Sequence, residues 1–174
     1  TIPILNKSGE LLNQVKIDYS KDWVYKHISA IEFNYENTSF FNSYWKDIKS
    51  ILEKPYNKLF DLNIKLINYF ISVLQIETKT ILSSDLDIDS KGSKKLLDIC
   101  KELNADTYLS GELGINYLDV NIFKNENIQI IFEKFKHPQY IQKYLEFIPN
   151  MSIIDLLFNE GENSINILKN SKNY

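Results

Sequence analysis

The sequence has a single cysteine and two histidines, and this scarcity limits the chemistry that the chain can support. A disulfide framework and a cysteine-based zinc site both need cysteine pairs, so both are excluded. Cys100 shares a predicted helix face with Leu96 and Leu103, and we expect it to be a buried hydrophobic residue. His27 and His137 lie far apart in the sequence, so no metal-binding motif is present. No cofactor motif is evident either, although the sequence leaves a carboxylate-bound Mg²⁺ open.

Long hydrophobic runs and an excess of positive charge are also absent. No apolar run approaches the roughly 18 residues that a membrane-spanning helix needs, and no basic segment followed by an apolar one begins the chain. We therefore expect no membrane span and a cytoplasmic location. The net charge of -3 gives the chain no broad attraction to nucleic acid or to an anionic membrane.

Glycine is scarce as well, and the common glycine motifs are missing. The five glycines form neither a Gly-x-Gly-x-x-Gly fingerprint, nor a Gly-Lys-Ser/Thr phosphate loop, nor a Gly-x-Ser-x-Gly elbow. Gly111 and Gly114 do lie together, where a β-prone run ends in Ser110 and a short helix follows. Backbone N–H groups converge at such a turn, so it could hold a phosphate or a carboxylate.

The remaining composition is that of a globular protein, and the pattern along the chain predicts an α/β fold. With 174 residues, 44% of them hydrophobic, we expect one domain over residues 1–174. Short strands at 1–5 and 14–18 are expected to pair across a turn at residues 6–9, and a helical subregion covers about residues 22–75. Beyond it, strands at 80–83, 107–110 and 128–132 alternate with helices at 92–103 and 112–117, which is typical of βαβ units and a parallel sheet. An irregular, helical C-terminal part follows.

Ligands of parallel sheets bind beyond the carboxyl ends of the strands, so polar residues near those ends, together with Tyr140 in the irregular stretch that follows, are the predicted substrate-binding residues. Two predicted strands end in short polar segments that could face the same crevice. The full set is Ser83, Asp85, Ser110, Gly111, Glu112, Gly114, Tyr117 and Tyr140.

Four polar residues have two interpretations each. Asp119 either caps the next helical turn or acts as a base, and His137 is either a general base in a loop or an ordinary loop histidine. Tyr117 could stack on a base or sugar, although packing under the sheet is favoured. For Asp155, a capping box with Ser152 is favoured over a role in a functional site.

Several segments, taken in order, resemble the WbqC-like protein family. They include Asp22-Trp-Val-Tyr-Lys-His27, Tyr108-Leu-Ser-Gly111 and Phe135-Lys-His-Pro-Gln-Tyr140. The others are Ile2-Pro-Ile4, Tyr35, Ser83-Ser-Asp-Leu86, Gly114-Ile-Asn-Tyr-Leu-Asp119 and the stretch from Phe147 to Asn159. The resemblance covers nearly the whole chain. It also implies an amino-terminal segment before Thr1, which we expect this chain to lack.

The resemblance implies a bacterial protein of O-antigen or other surface-polysaccharide biosynthesis. It implies a transferase that passes a glycyl or other aminoacyl group from an activated donor to an amino sugar on a nucleotide or lipid carrier. Ser110, Gly111 and Glu112 would then supply the oxyanion-type amides, with Asp119 or His137 as the base. The alternatives are a non-catalytic nucleotide-sugar or glycan-binding module of the same pathway, and a structural partner of a glycosyltransferase.

Overall fold

A computed structural model describes residues 1–5, 9–144 and 146–171, and these residues form helices and short strands. The helices are α1 (Trp23–Tyr35), α2 (Phe41–Glu53), α3 (Leu59–Val73), α4 (Gly92–Glu102), α5 (Val120–Asn125), α6 (Ile153–Glu160) and α7 (Ser164–Asn170). The strands are β1 (Ile4–Leu5), β2 (Lys16–Ile17), β3 (Thr107–Gly111) and β4 (Gln129–Glu133). The predicted α/β class is confirmed.

The elements group into two compact units. The first unit contains Thr1–Glu77 and Pro138–Asn170, and the second contains Thr78–His137. The prediction of one domain over residues 1–174 stays a prediction, because compact units can belong to a single domain.

The first unit begins with two short strands and is otherwise helical. β1 and β2 pair antiparallel, with Ile4 opposite Ile17, as the sequence predicts. The predicted turn between them falls largely on residues 6–8, which lie outside the described residues. The predicted helical subregion is confirmed as α1, α2 and α3, and the helical C-terminal part as α6 and α7.

The core of the first unit is rich in aromatic residues. On α2, Phe41, Trp45, Ile48 and Leu52 recur every three or four residues, so they share one buried face. Phe158 of α6 is fully buried against this face, with its ring 5.1 Å from that of Phe41. This packing fixes α6, and therefore its polar side chains, against α2.

The second unit contains one βαβ arrangement. β3 and β4 pair in parallel over their full length, from Thr107 opposite Gln129 to Gly111 opposite Glu133. α5 lies in the connection between them, as parallel strands require a crossover. The buried hydrophobic cluster of this unit consists of Leu97, Cys100, Phe123 and Ile128. The prediction that Cys100 is a buried hydrophobic residue is therefore confirmed.

The predicted strand at residues 80–83 is wrong. Residues 78–82 form no ladder, and Ser83–Asp85 form a turn of 3₁₀ helix. A strand inside a parallel sheet is buried on both faces and needs a longer apolar run, but Ile81 is already 42% exposed here. Among the described residues the parallel sheet therefore has two strands rather than three.

Candidate functional site

The turn after β3 lies where the sequence predicts it. Ser110 is buried, and its hydroxyl donates to the Gly111 carbonyl at 3.2 Å. A 3₁₀ helix, Glu112–Asn116, follows at once. Within it, Gly114 approaches Ser110 so closely that a Cβ atom on Gly114 would overlap Ser110 Oγ. The turn is therefore tightly packed on its inner side, whereas Gly111 has open space beside it.

The side chains that follow this turn point toward solvent. Glu112 lies 3.6 Å from Lys134 Nζ in an exposed ion pair. Tyr117 is 68% exposed, so the favoured interpretation, packing under the sheet, is wrong.

Asp119 caps α5, as one of its two interpretations predicts. Its Oδ1 accepts a hydrogen bond from the Asn121 N–H at 3.1 Å. Its own N–H donates to Ser93 Oγ at 3.0 Å, which ties the cap to the first turn of α4. The role of Asp119 as a base stays a prediction, as does that of His137, whose ring lies edge-on to Phe135 in the loop after β4.

Ser83 and Asp85 do not end a strand, because the strand predicted before them is absent. Both lie in the 3₁₀ turn, where the Asp85 N–H donates to the Leu82 carbonyl at 2.9 Å. Among the described residues, no hydrogen bond or ion pair joins either of them to Ser110 or Gly111. The structure thus provides no direct link between the two polar segments that the sequence was expected to bring together.

Tyr140, the last predicted residue, belongs to the first unit and contacts a buried carboxylate. Its hydroxyl donates to Asp155 Oδ2 at 2.7 Å. Asp155 lies in α6 and is only 5% exposed. The predicted capping box of Ser152 and Asp155 is wrong, because the Ser152 side chain makes no capping hydrogen bond and the Asp155 carboxylate binds side chains from elsewhere.

Gln142 provides the second hydrogen bond to this carboxylate and fixes the surrounding loop. Its Nε2 donates to Asp155 Oδ2 at 2.9 Å and to the Ile148 carbonyl at 2.9 Å. Its Oε1 accepts from the Ile148 N–H at 2.7 Å. The Gln142 amide thus links the Ile148 backbone to the buried Asp155 carboxylate and holds these groups in place.

These residues line a cavity of about 250 Å³, which we call the Asp155 cavity. Asn34 and Tyr35 come from the end of α1, Asp155 comes from α6, and the rest come from the segment between residues 138 and 152. The lining residues are Asn34, Tyr35, Gln142, Lys143, Tyr144, Ile148, Met151 and Asp155. Lys143 Nζ donates to the Asn34 carbonyl at 2.8 Å and lies 5.6 Å from the centre of the Tyr144 ring.

Burial and the negative charge of Asp155 raise the pKa of the neighbouring tyrosine hydroxyls. Burial raises the pKa of Tyr35, and the negative charge of Asp155 and a hydrogen bond to its carboxylate raise it further. The pKa of Tyr140 is likewise raised, first by burial and then by its hydrogen bond to Asp155. Both hydroxyl groups therefore stay protonated at neutral pH and can donate.

The Asp155 cavity is the feature that sequence reasoning missed. The sequence predicts Tyr140 as a site residue, but it does not indicate Tyr35 or Gln142, and it favours a cap for Asp155. One signal does point to the cavity, because Asp155 is the only charged residue within the apolar run from Ile153 to Phe158. A charge in such a run is expected to be buried and to need partners.

The residues that the structure describes contain neither a metal-binding cluster nor a membrane-spanning helix. In those parts of the chain, no group of three or more His, Cys, Asp or Glu side chains could hold a metal ion. Nor is any helix there long and apolar enough to cross a membrane.

Comparisons with known proteins give one family and one relative. The model of the WbqC-like protein family matches residues 1–167. The chain is also similar to the uncharacterized protein Rv1507c of Mycobacterium tuberculosis, with 30% identity over 173 residues that cover 97% of this chain and 74% of the relative. No solved structure matches the chain.

Proposed function

Because this chain belongs to the WbqC-like protein family, we propose that it acts as a transferase in bacterial surface-polysaccharide biosynthesis, such as that of the O-antigen. The proposed reaction passes a glycyl or other aminoacyl group from an activated amino acid to the amine of an amino sugar. The sugar is carried on a nucleotide or a lipid.

The Asp155 cavity is the observation that supports this proposal. Its volume of about 250 Å³ lies below the ~300–1,000 Å³ of pockets that hold drug-sized ligands, so it suits one sugar ring or one amino acid. Tyrosine rings, an amide and a carboxylate line it, and these groups can pack on a sugar ring and bind its polar substituents. A whole nucleotide sugar would extend beyond it.

The chemistry requires a neutral amine and a stabilised acyl oxygen. The amine nitrogen attacks the acyl carbonyl, a C–N bond forms, and the bond to the activating group breaks as the amine loses its proton to a base. We keep Asp119 and His137 as the proposed bases, and the amides of Ser110, Gly111 and Glu112 as the proposed donors to the acyl oxygen.

A direct assay tests the proposal. The purified protein is incubated with nucleotide-linked amino sugars and activated glycine, and the products are analysed by mass spectrometry. We expect the glycyl mass increment on the amino sugar and none on the matching N-acetylated sugar, whose nitrogen is blocked. Absence of the increment from every amino sugar and carrier tested would contradict the transferase proposal.

The second candidate function is a non-catalytic nucleotide-sugar or glycan-binding module of the same pathway. Asp119 favours it, because the carboxylate proposed as a base already accepts the capping hydrogen bond of α5. This candidate predicts that a nucleotide sugar raises the melting temperature while no product forms, since a ligand that binds only the folded state stabilises it.

A further inference from the structure

We propose that the Asp155 cavity binds a protonated primary amine, with the ammonium group held by the Asp155 carboxylate. The inference deepens the proposed function by naming the ligand group that the cavity selects. It does not require transfer to occur, because amine binding can be measured without an acyl donor.

The first argument is the missing counter-charge. Asp155 is 5% exposed, and removing a carboxylate from water is costly unless a cation or several hydrogen bonds compensate. Its hydrogen bonds come from neutral groups, the Tyr140 and Tyr35 hydroxyls and the Gln142 amide. No lysine within the described ranges lies within ion-pair distance of it, and the sequence contains no arginine. A cationic ligand would supply the charge that the protein does not.

The second argument is the position of the carboxylate. The hydrogen bonds from Tyr140 and Gln142 both end on Oδ2, and Tyr35, which also hydrogen-bonds to this carboxylate, is part of the cavity lining. Asp155 itself lines the cavity, and Gln142 and Tyr140 hold its carboxylate in one orientation. An acceptor that is fixed before the ligand arrives loses little freedom on binding, which favours affinity.

The third argument concerns the kind of cation. Metal ions bound by oxygen take several ligands, but Asp155 is the only acidic residue in the lining. An organic ammonium group needs only one carboxylate, and the Tyr35 and Tyr144 rings in the same lining are suited to contact with a cation. The lining therefore fits an amine better than a metal.

Lys143 limits the ligand further. Its Nζ is bonded to the Asn34 carbonyl, so a second positive charge sits in the same lining without neutralising Asp155. A ligand with two cationic groups is disfavoured there, whereas an anionic group beside the amine is favoured. Amino acids and phosphorylated amino sugars both combine these charges, so the shared chemistry is a primary amine next to an anion.

A binding experiment with matched probes tests this inference and separates the two sources. Chemical shifts of the protein are followed by NMR during titration with glucosamine 1-phosphate and with glycine. The controls are N-acetylglucosamine 1-phosphate and N-acetylglycine, which keep the anion and lose the ammonium charge. We expect saturable binding of at least one amine, and binding at least about tenfold weaker for its N-acetyl analogue. Which amine binds identifies the source.

Variants of the protein test whether the amine binds in the Asp155 cavity. Asp155→Asn keeps the shape of the side chain and is expected to weaken amine binding at least about tenfold, whereas the exposed Asp47→Asn in α2 leaves it unchanged. If Asp155→Asn fails to fold, Met151→Trp provides the test of the binding position. A larger side chain at this half-exposed lining position blocks the cavity and should abolish binding. Failure of both amines to bind, equal binding of the N-acetyl analogues, or amine binding that survives these variants would overturn the inference. None of these outcomes depends on whether transfer is observed.

Discussion

At the scale of single residues, the buried carboxylate of Asp155 is the central feature of the candidate site. It follows Ile153 and Ile154 and precedes Leu156 in a buried helix, yet its carboxylate is held by Tyr140 and Gln142 rather than excluded. Burying a carboxylate without a cation is costly even when neutral groups hydrogen-bond to it, so stability alone does not account for this arrangement. It is better explained as a prepared acceptor.

Replacing Tyr140 by Phe removes a hydrogen bond to a buried charge. We expect Tyr140→Phe to lower the free energy of unfolding by about 1–3 kcal/mol, because Asp155 would lose the 2.7 Å hydrogen bond from this hydroxyl. Urea unfolding measures the change. The matched control is Tyr25→Phe, since Tyr25 is 67% exposed and should tolerate the loss of its hydroxyl. Equal stability of Tyr140→Phe and the parent would show that the bond contributes nothing.

Asp119 can be tested separately as a cap and as a base. Asp119→Ala loses the acceptor for the Asn121 N–H and should cost about 0.5–2 kcal/mol, whereas Asp119→Ser keeps a capping oxygen and should unfold nearly like the parent. Asp119→Ser and His137→Gln then probe chemistry without loss of fold. We expect at least one of them to lose transfer activity, and full activity in both would exclude both residues as the base.

A residue whose role depends on its sequence neighbours can be predicted from the sequence, whereas a residue whose role depends on distant partners cannot. The Asp119 cap and the buried Cys100 follow from a few neighbouring residues, so both could be predicted. The Asp155 cavity combines the end of α1 with a segment more than a hundred positions later. No periodicity or motif in the sequence predicts that these two segments line one cavity, because their proximity depends on how α1 and α6 pack.

At the scale of elements, three helices end in the same way. After α3, α4 and α5 the backbone turns left-handed, at Gln75, Asn104 and Asn127 respectively. The following residue in each case donates its N–H to the carbonyl five positions earlier, which is the Schellman pattern. Asparagine tolerates this conformation better than most residues, which explains why α4 and α5 can stop without glycine.

The strand-to-helix turn at Gly114 gives a test of close packing. Gly114→Ala should destabilise the protein by about 1–3 kcal/mol, because the added Cβ would overlap Ser110 Oγ and lie 3.1 Å from Leu118 Cδ1. Gly111→Ala is the matched control, since nothing lies within 4 Å of its Cβ position and its φ of -64° suits any residue. Thermal unfolding of both variants is the measurement. Ser110→Ala should partly rescue Gly114→Ala, and the absence of any difference between the two glycine variants would refute the packing argument.

Elements with strong periodicity could be predicted, and elements that need a partner could not. α2 shows one clear apolar face, and it lies within the helical subregion predicted over about residues 22–75. The strand predicted at residues 80–83 had β-prone residues but too short an apolar run to occupy the middle of a sheet. Its absence removes the structural reason for grouping Ser83 with Ser110.

At the scale of the whole molecule, the buried tyrosines predict how stability changes with pH. Burial raises the pKa of Tyr69 to about 12, and the Asp47 charge adds to the shift. Tyr35 and Tyr140 have a raised pKa as well. The unfolded chain, whose tyrosines titrate near the ordinary value of 10.0, therefore loses these protons before the folded chain does.

Stability that depends on these neutral tyrosines is complete below pH 10 and is lost as the pH rises toward 12. We expect the free energy of unfolding to fall across this interval and to fall less steeply in Tyr69→Phe. Chemical unfolding followed by circular dichroism at a series of alkaline pH values gives both slopes. A constant or rising free energy of unfolding would contradict the burial of these hydroxyls.

Also at this scale, one measurement joins the proposed transfer reaction to the ligand proposed for the Asp155 cavity. It is the rate of glycyl transfer to an amino sugar by the parent protein, by Asp155→Asn and by Asp47→Asn under identical conditions. Loss of one partner of a buried charge pair costs ~2–5 kcal/mol, so we predict that Asp155→Asn lowers kcat/KM at least about thirtyfold while Asp47→Asn matches the parent. An Asp155→Asn variant that is folded and transfers at the rate of the parent would contradict the account.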